Sequence, residues 1–331
     1  MANIGVIGAG AWGTAFSKVL CESGHQVSLW CRDSDSVTQI TKERENKKYL
    51  PDIRLPDKLF VNSNLQNVVS KAEFIIVAVP SHSLRETIRL SVKKNNSAGY
   101  VILTKGFELG STLLSNQVFE QEDPALRFRL AVISGPGFAS EIANGLPAAL
   151  TIASRNRDFG HKVVETMHSH RLRLYYTDDV PGVLVGGAMK NIVAIASGIC
   201  DALDLGESAR AALITRGLSE MTRVGQVFGG LPRTFQGLSG IGDLCLTCTS
   251  ELSRNRQLGT LIGKGVKLGE AVKKLGHVAE GVNSAREVGK MAEKKGLELP
   301  ITSAVLSIMS GSIQPGQAVA ELLDRAPREE N

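Results

Sequence analysis

Residues 4–13 read Ile4-Gly5-Val6-Ile7-Gly8-Ala9-Gly10-Ala11-Trp12-Gly13. A short apolar run that suits a buried strand leads directly into Gly-x-Gly-x-x-Gly, and an amphipathic stretch follows over residues 11–22. In such a strand–turn–helix unit the first glycine permits a tight turn, the second lets a pyrophosphate approach the backbone, and the third lets the helix pack closely on the strand. The helix N-terminus adds unpaired N–H groups that favour phosphate. The stretch therefore predicts a dinucleotide site formed by Gly8, Gly10, Ala11, Trp12 and Gly13.

The same alternation of apolar runs and amphipathic stretches continues beyond this site. Helices are predicted over residues 83–93 and 112–121, and further buried strands over residues 27–30, 74–79, 100–103, 130–133 and 149–152. Continuous apolar strands separated by helices indicate a parallel sheet that is covered on both faces. Right-handed crossovers then make the sheet doubly wound.

The pattern changes after about residue 178, where strand-like runs stop and long Ala- and Leu-rich stretches with Gly-rich breaks begin. This change indicates an all-helical second part. We therefore predict an α/β chain with two domains. An N-terminal Rossmann-type doubly wound sheet over residues 1–179 binds the dinucleotide, and an all-α C-terminal domain over residues 180–331 carries substrate-binding and catalytic groups.

Composition argues against several classes of function. The 331 residues include 38 basic and 33 acidic side chains, for a net charge of +5, and only 5% are aromatic. Scattered lysine pairs and few aromatic residues argue against nucleic-acid binding. The chain has five cysteines, an odd number, and no charged leader before its first apolar run. We therefore expect a cytoplasmic protein with reduced thiols. We expect no membrane insertion, because no uncharged apolar stretch reaches roughly 18 residues.

Cys245 and Cys248 have the spacing of a metal or redox motif. No second pair of ligands is near them in the sequence, and a structural zinc site needs four ligands. We therefore predict that the protein uses no metal.

The end of the second predicted strand bears on the choice of dinucleotide. NAD-selective enzymes usually place Asp or Glu about 20 residues after the glycine motif, where it binds the ribose. This chain has Trp30-Cys31-Arg32-Asp33 there. A guanidinium suits a 2′-phosphate because it offers paired, charged hydrogen bonds. We favour NADP(H), bound through Arg32, and Asp33 keeps NAD(H) as the alternative.

One lysine lies inside an apolar stretch of the second half. Residues 186–198 read as a helix of small and apolar residues that contains Lys190. Burying a lysine costs several kcal/mol unless a partner pairs with it or it loses its proton. A lysine that exchanges its proton can act as a general acid or base. Gly186 and Gly187, on the preceding turn, leave room for a ligand or for a closely approaching chain.

Two further segments carry polar groups that suit a phosphorylated ligand. Residues 237–244 form a flexible glycine-rich loop that ends near one carboxylate, Asp243, which would also suit a helix N-cap. Ser253-Arg254-Asn255 places a guanidinium between a hydroxyl and an amide. That combination is a good phosphate receptor, although a solvated turn would have the same composition.

With these segments the sequence resembles the glycerol-3-phosphate dehydrogenase [NAD(P)+] family of bacteria over nearly its whole length. The resemblance also rests on residues 46–51, 79–81, 103–106, 134–139 and 278–282. It implies that Lys190 gives and takes the proton beside Asp243, and that Lys105 assists at the reacting centre. The family usually has Ser or Thr where this chain has Gly137, so one side-chain contact to the substrate is missing here.

The resemblance extends the predicted site to two sets of contacts. The implied substrate contacts are Lys105, Gly135, Gly137, Lys190, Asp243, Ser253, Arg254 and Asn255. Beyond the glycine motif and Arg32, the implied cofactor contacts are Tyr49, Lys105, Ala139, Arg254, Val278 and Glu280.

The activity that this resemblance implies is the reversible, NAD(P)-dependent reduction of dihydroxyacetone phosphate to sn-glycerol 3-phosphate, which supplies phospholipid synthesis. It also implies a homodimer. The nearest alternative is a β-hydroxyacid dehydrogenase, which uses a helical Lys-x-x-Asn motif, whereas here Asn191 adjoins Lys190 and Val193 takes the later position. A second alternative, a non-catalytic NADP(H)-binding regulator, would need neither a buried lysine nor a phosphate receptor.

Overall fold

The computed structural model describes residues 1–276 and 280–326 of the chain. The chain divides into two compact units. The first unit comprises Met1–Glu108 and Leu113–Leu184, and the second comprises Leu109–Thr112 and Val185–Asn331. The domain limits 1–179 and 180–331 stay a prediction.

The first unit is built on one eight-stranded sheet with the order β3-β2-β1-β4-β5-β6-β7-β8. Neighbouring strands are parallel except β6 and β7, which are antiparallel. The strands are β1 (Asn3–Ile7), β2 (Gln26–Trp30), β3 (Phe60–Asn62), β4 (Phe74–Val77), β5 (Gly99–Ile102), β6 (Leu130–Ser134), β7 (Ala148–Ala153) and β8 (Leu172–Thr177).

The six strands that the sequence predicts are confirmed, and β4, β5 and β6 are buried along their whole length. Burial on both faces explains why these strands read as unbroken apolar runs. Two strands were missed. β3 has only three residues, with Phe60 exposed, and β8 alternates buried with less buried residues at the sheet edge. The expectation of a wholly parallel sheet is wrong at the β6–β7 pair.

Seven helices accompany this sheet. They are α1 (Ala11–Glu22), α2 (Ser34–Glu43), α3 (Leu65–Val69), α4 (Leu84–Val92), α5 (Ser115–Glu122), α6 (Ala139–Ala143) and α7 (Arg157–Met167), with short 3₁₀ turns at Ser81–Ser83 and Pro124–Phe128. The three predicted helices in this half, over residues 11–22, 83–93 and 112–121, correspond to α1, α4 and α5.

The second unit is helical, and the structure places no strand in residues 178–276 or 280–326. The all-α prediction for this part is therefore confirmed over those residues. Its helices are α8 (Val180–Ala202), α9 (Gly206–Val227), α10 (Pro232–Phe235), α11 (Asp243–Thr249), α12 (Arg254–Gly263), α13 (Leu268–Leu275), α14 (Glu280–Lys295), α15 (Pro300–Ser310) and α16 (Pro315–Leu323), with a π-helical turn at Leu238–Gly242.

Helix α8 is the central element of the second unit. Among the described helices it alone is long and apolar enough to cross a membrane by length and composition. However, 94% of its apolar window is buried inside the protein, as is typical of a core helix. The start of α8 lies in the first unit and the rest in the second. The residues that follow Leu184 in α8 carry the small and apolar side chains around Lys190.

Candidate active site

The glycine motif forms a tight turn between β1 and α1. Gly8 has φ +113°, a value that side-chain-bearing residues rarely adopt. A Cβ atom at Gly13 would lie 1.9 Å from the Gly8 carbonyl oxygen, so only glycine permits this approach. A Cβ atom at Gly10 would meet no atom within 4 Å, and Gly10 is the N-cap of α1. The turn therefore has the open backbone and helix N-terminus that suit a pyrophosphate.

A buried amide fixes this turn from the side. Asn46 is 2% exposed, and its Nδ2 donates to the Ala9 carbonyl at 2.9 Å and to Thr14 Oγ1 at 2.8 Å. Residues 46–51 carry part of the family resemblance, which implies Tyr49 as the cofactor contact of this segment. Tyr49 is 37% exposed, with the Lys48 ammonium 5.2 Å from its ring centre. Asn46 is thus a positioning residue that sequence reasoning missed.

The two candidates after β2 have different surroundings. The Asp33 carboxylate caps α2, where it accepts from the Ser36 N–H at 2.9 Å and from the Ser36 hydroxyl. These hydrogen bonds hold the pKa of Asp33 below its usual value. Arg32 is exposed, and the described residues supply no hydrogen bond or ion pair to its guanidinium. Arg32 is therefore the side chain with its charge available to a ligand.

Lys105 follows β5 and lies against the glycine turn. Its ammonium is 5.5 Å from the centre of the Trp12 ring, within range of a cation–π interaction. Thr104, one residue earlier, is buried and donates to the Val79 carbonyl at 2.8 Å. This bond ties the start of the Lys105 loop to the segment that follows β4.

The predicted substrate segment after β6 lies in the same unit. Gly135 has φ +142°, and Ala139 is the first residue of α6. A Cβ atom at Gly137 would lie 3.0 Å from Ile142 Cδ1 and 3.5 Å from Trp12 Cη2. The Ile142 side chain therefore occupies the space beside Gly137, and a Ser or Thr at that position would require Ile142 to shift.

A buried ion pair lies at the centre of the second unit. Lys190 is 7% exposed and Asp243 is 0% exposed, and the Lys190 ammonium donates to Asp243 Oδ1. Gly186 allows the segment before Asp243 to pack closely on α8. A Cβ atom on residue 186 would lie only 2.3 Å from the Ser239 carbonyl oxygen. Of the two possibilities expected for Gly186, room for a ligand or for a closely approaching chain, the structure shows the second.

The segment before Asp243 is not the flexible loop that we expected. Leu238–Gly242 forms a π-helical turn, and Gly242 occupies the N-cap position of α11. Asp243 is the first residue of α11, so the N-cap interpretation is wrong. Its main-chain carbonyl accepts from the Thr247 hydroxyl at 2.6 Å. The Asp243 carboxylate is therefore carried by a helix rather than by a loop.

The predicted phosphate receptor lies at the start of α12. Ser253 is its N-cap and accepts from the Arg256 N–H at 3.3 Å. Arg254, the first helical residue, is exposed, and no described residue supplies it with a partner. Cationic Arg254 and the helix N-terminus both favour an anion at this place.

Asn255 connects three helices of the second unit. Its Nδ2 donates to Asn191 Oδ1 at 2.9 Å, and its Oδ1 accepts from the Gly281 N–H at 3.1 Å. Asn191, which sequence reasoning used only to exclude another family, follows Lys190 directly. The amide pair therefore links the helix of the buried lysine to the first turns of α12 and α14.

Two predicted cofactor contacts remain. Glu280 begins α14 and is partly exposed. Val278 lies outside the described residues. Cys245 and Cys248 are free thiols, and burial raises the pKa of the Cys248 thiol. Within residues 1–276 and 280–326 no cluster of His, Cys, Asp or Glu could hold a metal ion.

Comparison with known proteins identifies the family. The model for the N-terminus of NAD-dependent glycerol-3-phosphate dehydrogenase matches residues 3–160, and the model for its C-terminus matches residues 179–320. The chain belongs to the NAD-dependent glycerol-3-phosphate dehydrogenase family. A family member from Nitrosospira multiformis, named glycerol-3-phosphate dehydrogenase [NAD(P)+], is 46% identical over 331 residues, which are 99% of each chain.

Solved structures agree with this membership. Glycerol-3-phosphate dehydrogenase from Coxiella burnetii has a TM-score of 0.92 and 41% identity, and the match covers 98% of this chain and 99% of that one. The Saccharomyces cerevisiae enzyme of the same name has a TM-score of 0.83 at 27% identity, with coverage of 98% and 99%. A D-mandelate dehydrogenase matches at a TM-score of 0.64 and 14% identity, which is a likeness of fold alone.

Proposed function

We propose that this member of the family catalyses the reversible, NAD(P)-dependent reduction of dihydroxyacetone phosphate to sn-glycerol 3-phosphate. The observation that carries the proposal is the buried Lys190–Asp243 pair in a chain that matches both halves of the family. A non-catalytic nucleotide-binding regulator has no use for a buried ammonium, which is costly to desolvate.

Lys190 acts as the general acid in the reductive direction. Its ammonium donates a hydrogen bond to the substrate carbonyl oxygen and then transfers a proton to that oxygen as the alcohol forms. The reduced nicotinamide, when bound, supplies the hydride to the carbonyl carbon. Asp243 holds the ammonium through the bond to Oδ1 and balances its charge in the buried site. In the oxidative direction the same lysine, in its neutral form, accepts the proton from the hydroxyl.

Charged groups at two places recognise the phosphate of the substrate. Arg254 binds it with a planar guanidinium at the start of α12, where Ser253 and Asn255 support the segment. Lys105 adds a second positive charge, and Gly135 and Gly137 offer main-chain groups. Together these charges make the enzyme select phosphorylated over unphosphorylated ketones.

The cofactor binds at the glycine turn of the first unit. The open space at Gly10 fits a pyrophosphate, with Ala11, Trp12 and Ala139 beside it and with Tyr49, Val278, Glu280 and Arg254 as further contacts. We expect NADP(H) to be preferred, because the Arg32 guanidinium is available to a 2′-phosphate while Asp33 is engaged at a helix N-cap. We also expect a cytoplasmic homodimer that needs no metal, does not insert into membranes, and supplies glycerol 3-phosphate for phospholipid synthesis.

The reaction is tested by the loss of reduced-nicotinamide absorbance when purified protein is mixed with dihydroxyacetone phosphate. We expect turnover with NADPH and slower turnover with NADH, unaffected by a chelator. No turnover with either cofactor, from a protein that binds one of them, would contradict the substrate assignment and favour a small hydroxyacid.

The cofactor preference is tested by Arg32→Ala. We expect the KM for NADPH to rise by about tenfold or more, because charged hydrogen bonds to the 2′-phosphate are lost, while the KM for NADH changes little. Arg54→Ala is the control, since Arg54 is an exposed arginine of the same unit that pairs with Asp57. Equal effects of Arg32→Ala on both cofactors would remove Arg32 from the 2′-phosphate site.

A further inference from the structure

Helices α8 and α12 of the second unit pack with their main chains in contact. A Cβ atom at Gly198 of α8 would lie 1.9 Å from the Arg256 carbonyl oxygen. A Cβ atom at Gly259 of α12 would lie 2.0 Å from the Ile195 carbonyl oxygen. Side chains between two helices usually keep the axes about 8–10 Å apart, and glycine permits a closer approach. A larger residue at either glycine therefore requires the two helices to move apart.

The contacts between these two helices also fix their register. Three residues on successive turns of α12 each meet a residue on successive turns of α8. The pairs are Asn255 with Asn191, Gly259 with Ile195, and Gly263 with Ile199. The first pair is a hydrogen bond of 2.9 Å from Asn255 Nδ2 to Asn191 Oδ1. The two helices therefore run in the same direction, and neither can slide along the other without disrupting all three pairs.

An ion pair ties the first turn of α12 to the end of α8. Arg256 Nε donates to Asp201 Oδ2 at 2.7 Å, and the two side chains are 17% and 19% exposed. Arg210 of α9 donates to the other oxygen of Asp201, also at 2.7 Å. Arg256 lies two residues after Arg254, so the pair holds the turn that carries the proposed phosphate receptor.

The two helices carry the groups that the proposed reaction needs at the two ends of its substrate. Lys190 directly precedes Asn191 on α8, and Arg254 directly precedes Asn255 on α12. Both groups therefore lie next to the first pair of the register. Dihydroxyacetone phosphate has one methylene between its carbonyl carbon and its phosphate ester oxygen. A fixed position of α12 on α8 suits a substrate of one such length.

We propose that the close packing of α12 on α8 selects phosphorylated ketones with a single methylene between the carbonyl and the phosphate ester. This inference rests on the proposed function, because it assumes that Lys190 and Arg254 bind opposite ends of the substrate. Gly198 and Gly259 are then positioning residues, which act through the two helices. They set substrate length in addition to the contacts predicted from the sequence.

The test compares kcat/KM for dihydroxyacetone phosphate with kcat/KM for 4-hydroxy-3-oxobutyl phosphate, which has one more methylene before the phosphate ester. The wild type should prefer the shorter ketone by about tenfold or more. Gly259→Ala should lower kcat for dihydroxyacetone phosphate by about 10²-fold, because its phosphate still binds while its carbonyl is misplaced. The KM should change less than kcat. The longer ketone should lose less activity, so the preference should narrow, while NADPH affinity measured by calorimetry stays constant.

Gly225→Ala is the matched control for disturbed packing. A Cβ atom at Gly225 of α9 would lie 2.1 Å from Phe235 Cζ, in the same unit but away from the contact of α8 with α12. This variant should lose stability and keep the wild-type preference between the two ketones. Arg256→Met breaks the ion pair while Asp201 keeps Arg210 as a partner. It should also narrow the preference, and it supplies the test if Gly259→Ala does not fold.

Three results would overturn the proposal. Gly259→Ala, or Arg256→Met in its place, could lose activity toward both ketones equally. Gly225→Ala could narrow the preference as well, which would mean that any loss of packing relaxes the selection. The wild type could also reduce both ketones equally well. A wild-type protein that binds NADPH but reduces neither ketone would instead contradict the proposed function itself.

Discussion

At the scale of single residues, the second unit shows where sequence and structure supply different information. The sequence predicts Lys190 as a buried lysine, because it lies within a helix of small and apolar residues. Burying its charge costs free energy unless a partner pairs with it. The structure adds that Asp243 is its partner and that Asn255 bonds to Asn191 and Gly281. Those pairings join residues far apart in the chain, so no local pattern predicts them.

Arg254 offers a prediction at this scale. Arg254→Ala should raise the KM for dihydroxyacetone phosphate by about ten- to a hundredfold, because a charged hydrogen bond to phosphate is worth about 1.5–3 kcal/mol. Activity toward unphosphorylated dihydroxyacetone should change little, since that ketone lacks the group that Arg254 binds. Steady-state kinetics with both ketones measures the difference.

The control for Arg254 lies at the other end of the same helix. Lys264→Ala removes an exposed positive charge at the C-cap of α12 and should leave both KM values unchanged. If Arg254→Ala lowered activity toward both ketones equally, the guanidinium would have another role than phosphate recognition.

At the scale of elements, the loop after β5 is held by charged pairs on one side. Glu108, three residues after Lys105, accepts from Arg85 Nε and Nη2, each at 2.7 Å. Arg85 also donates to Glu122 of α5 at 2.6 Å. Helices α4 and α5 thus anchor the loop that carries Lys105.

Breaking this anchor should affect substrate binding more than stability. Arg85→Met should lower kcat/KM for dihydroxyacetone phosphate by about tenfold, because the Lys105 loop loses its fixed position. The free energy of unfolding should fall by only about 1 kcal/mol, since the pairs are partly exposed. Kinetics and denaturant unfolding of the same variant give the two values.

Arg89→Met is the control for Arg85→Met. Arg89 lies one turn later on α4 and pairs with Glu122 at 2.6 Å but not with Glu108. It should keep kcat/KM near the wild-type value. If both variants lost activity equally, the Arg85–Glu108 pair would have no special role.

The elements also show which predictions the sequence permits. Strands β4, β5 and β6 were predictable because they are buried on both faces, whereas β8 was not, because its apolar positions alternate with Arg173 and Tyr175 at the sheet edge. The role of Asp33 was not predictable from sequence: a carboxylate just after β2 suits the ribose of NAD, whereas the structure shows it at the N-cap of α2. Such choices depend on which neighbour lies closer, and composition does not encode that.

At the scale of the whole molecule, one buried carboxylate links stability to pH. Glu220 of α9 is 1% exposed and caps α15, where it accepts from the N–H groups of Ile301 at 2.5 Å and Thr302 at 3.1 Å. Burial raises the pKa of Glu220 above its ordinary value of 4.5, although these hydrogen bonds oppose the shift. The folded protein therefore holds this proton more tightly than the unfolded chain.

The sign of the pH effect follows from that raised pKa. As pH rises from the ordinary value of 4.5 through the raised one, the folded state must release a proton that it binds better, so the contribution of Glu220 to the free energy of unfolding falls. Denaturant unfolding of the wild type and of Glu220→Gln at a series of pH values above 4.5 measures this contribution. The stability of the wild type relative to the variant should decrease with rising pH. A difference that grows with pH would contradict the assignment.

The claim that the buried lysine performs the proton transfer is tested most directly by kcat of Lys190→Met, with NADPH affinity measured on the same protein. We predict that kcat falls by about 10²- to 10⁴-fold while NADPH affinity is unchanged, because the general acid is lost and the glycine turn is intact. Lys190→Met together with Asp243→Asn should recover stability, since no unpaired charge stays buried, without recovering kcat. A Lys190→Met variant that kept near-normal kcat would contradict the account.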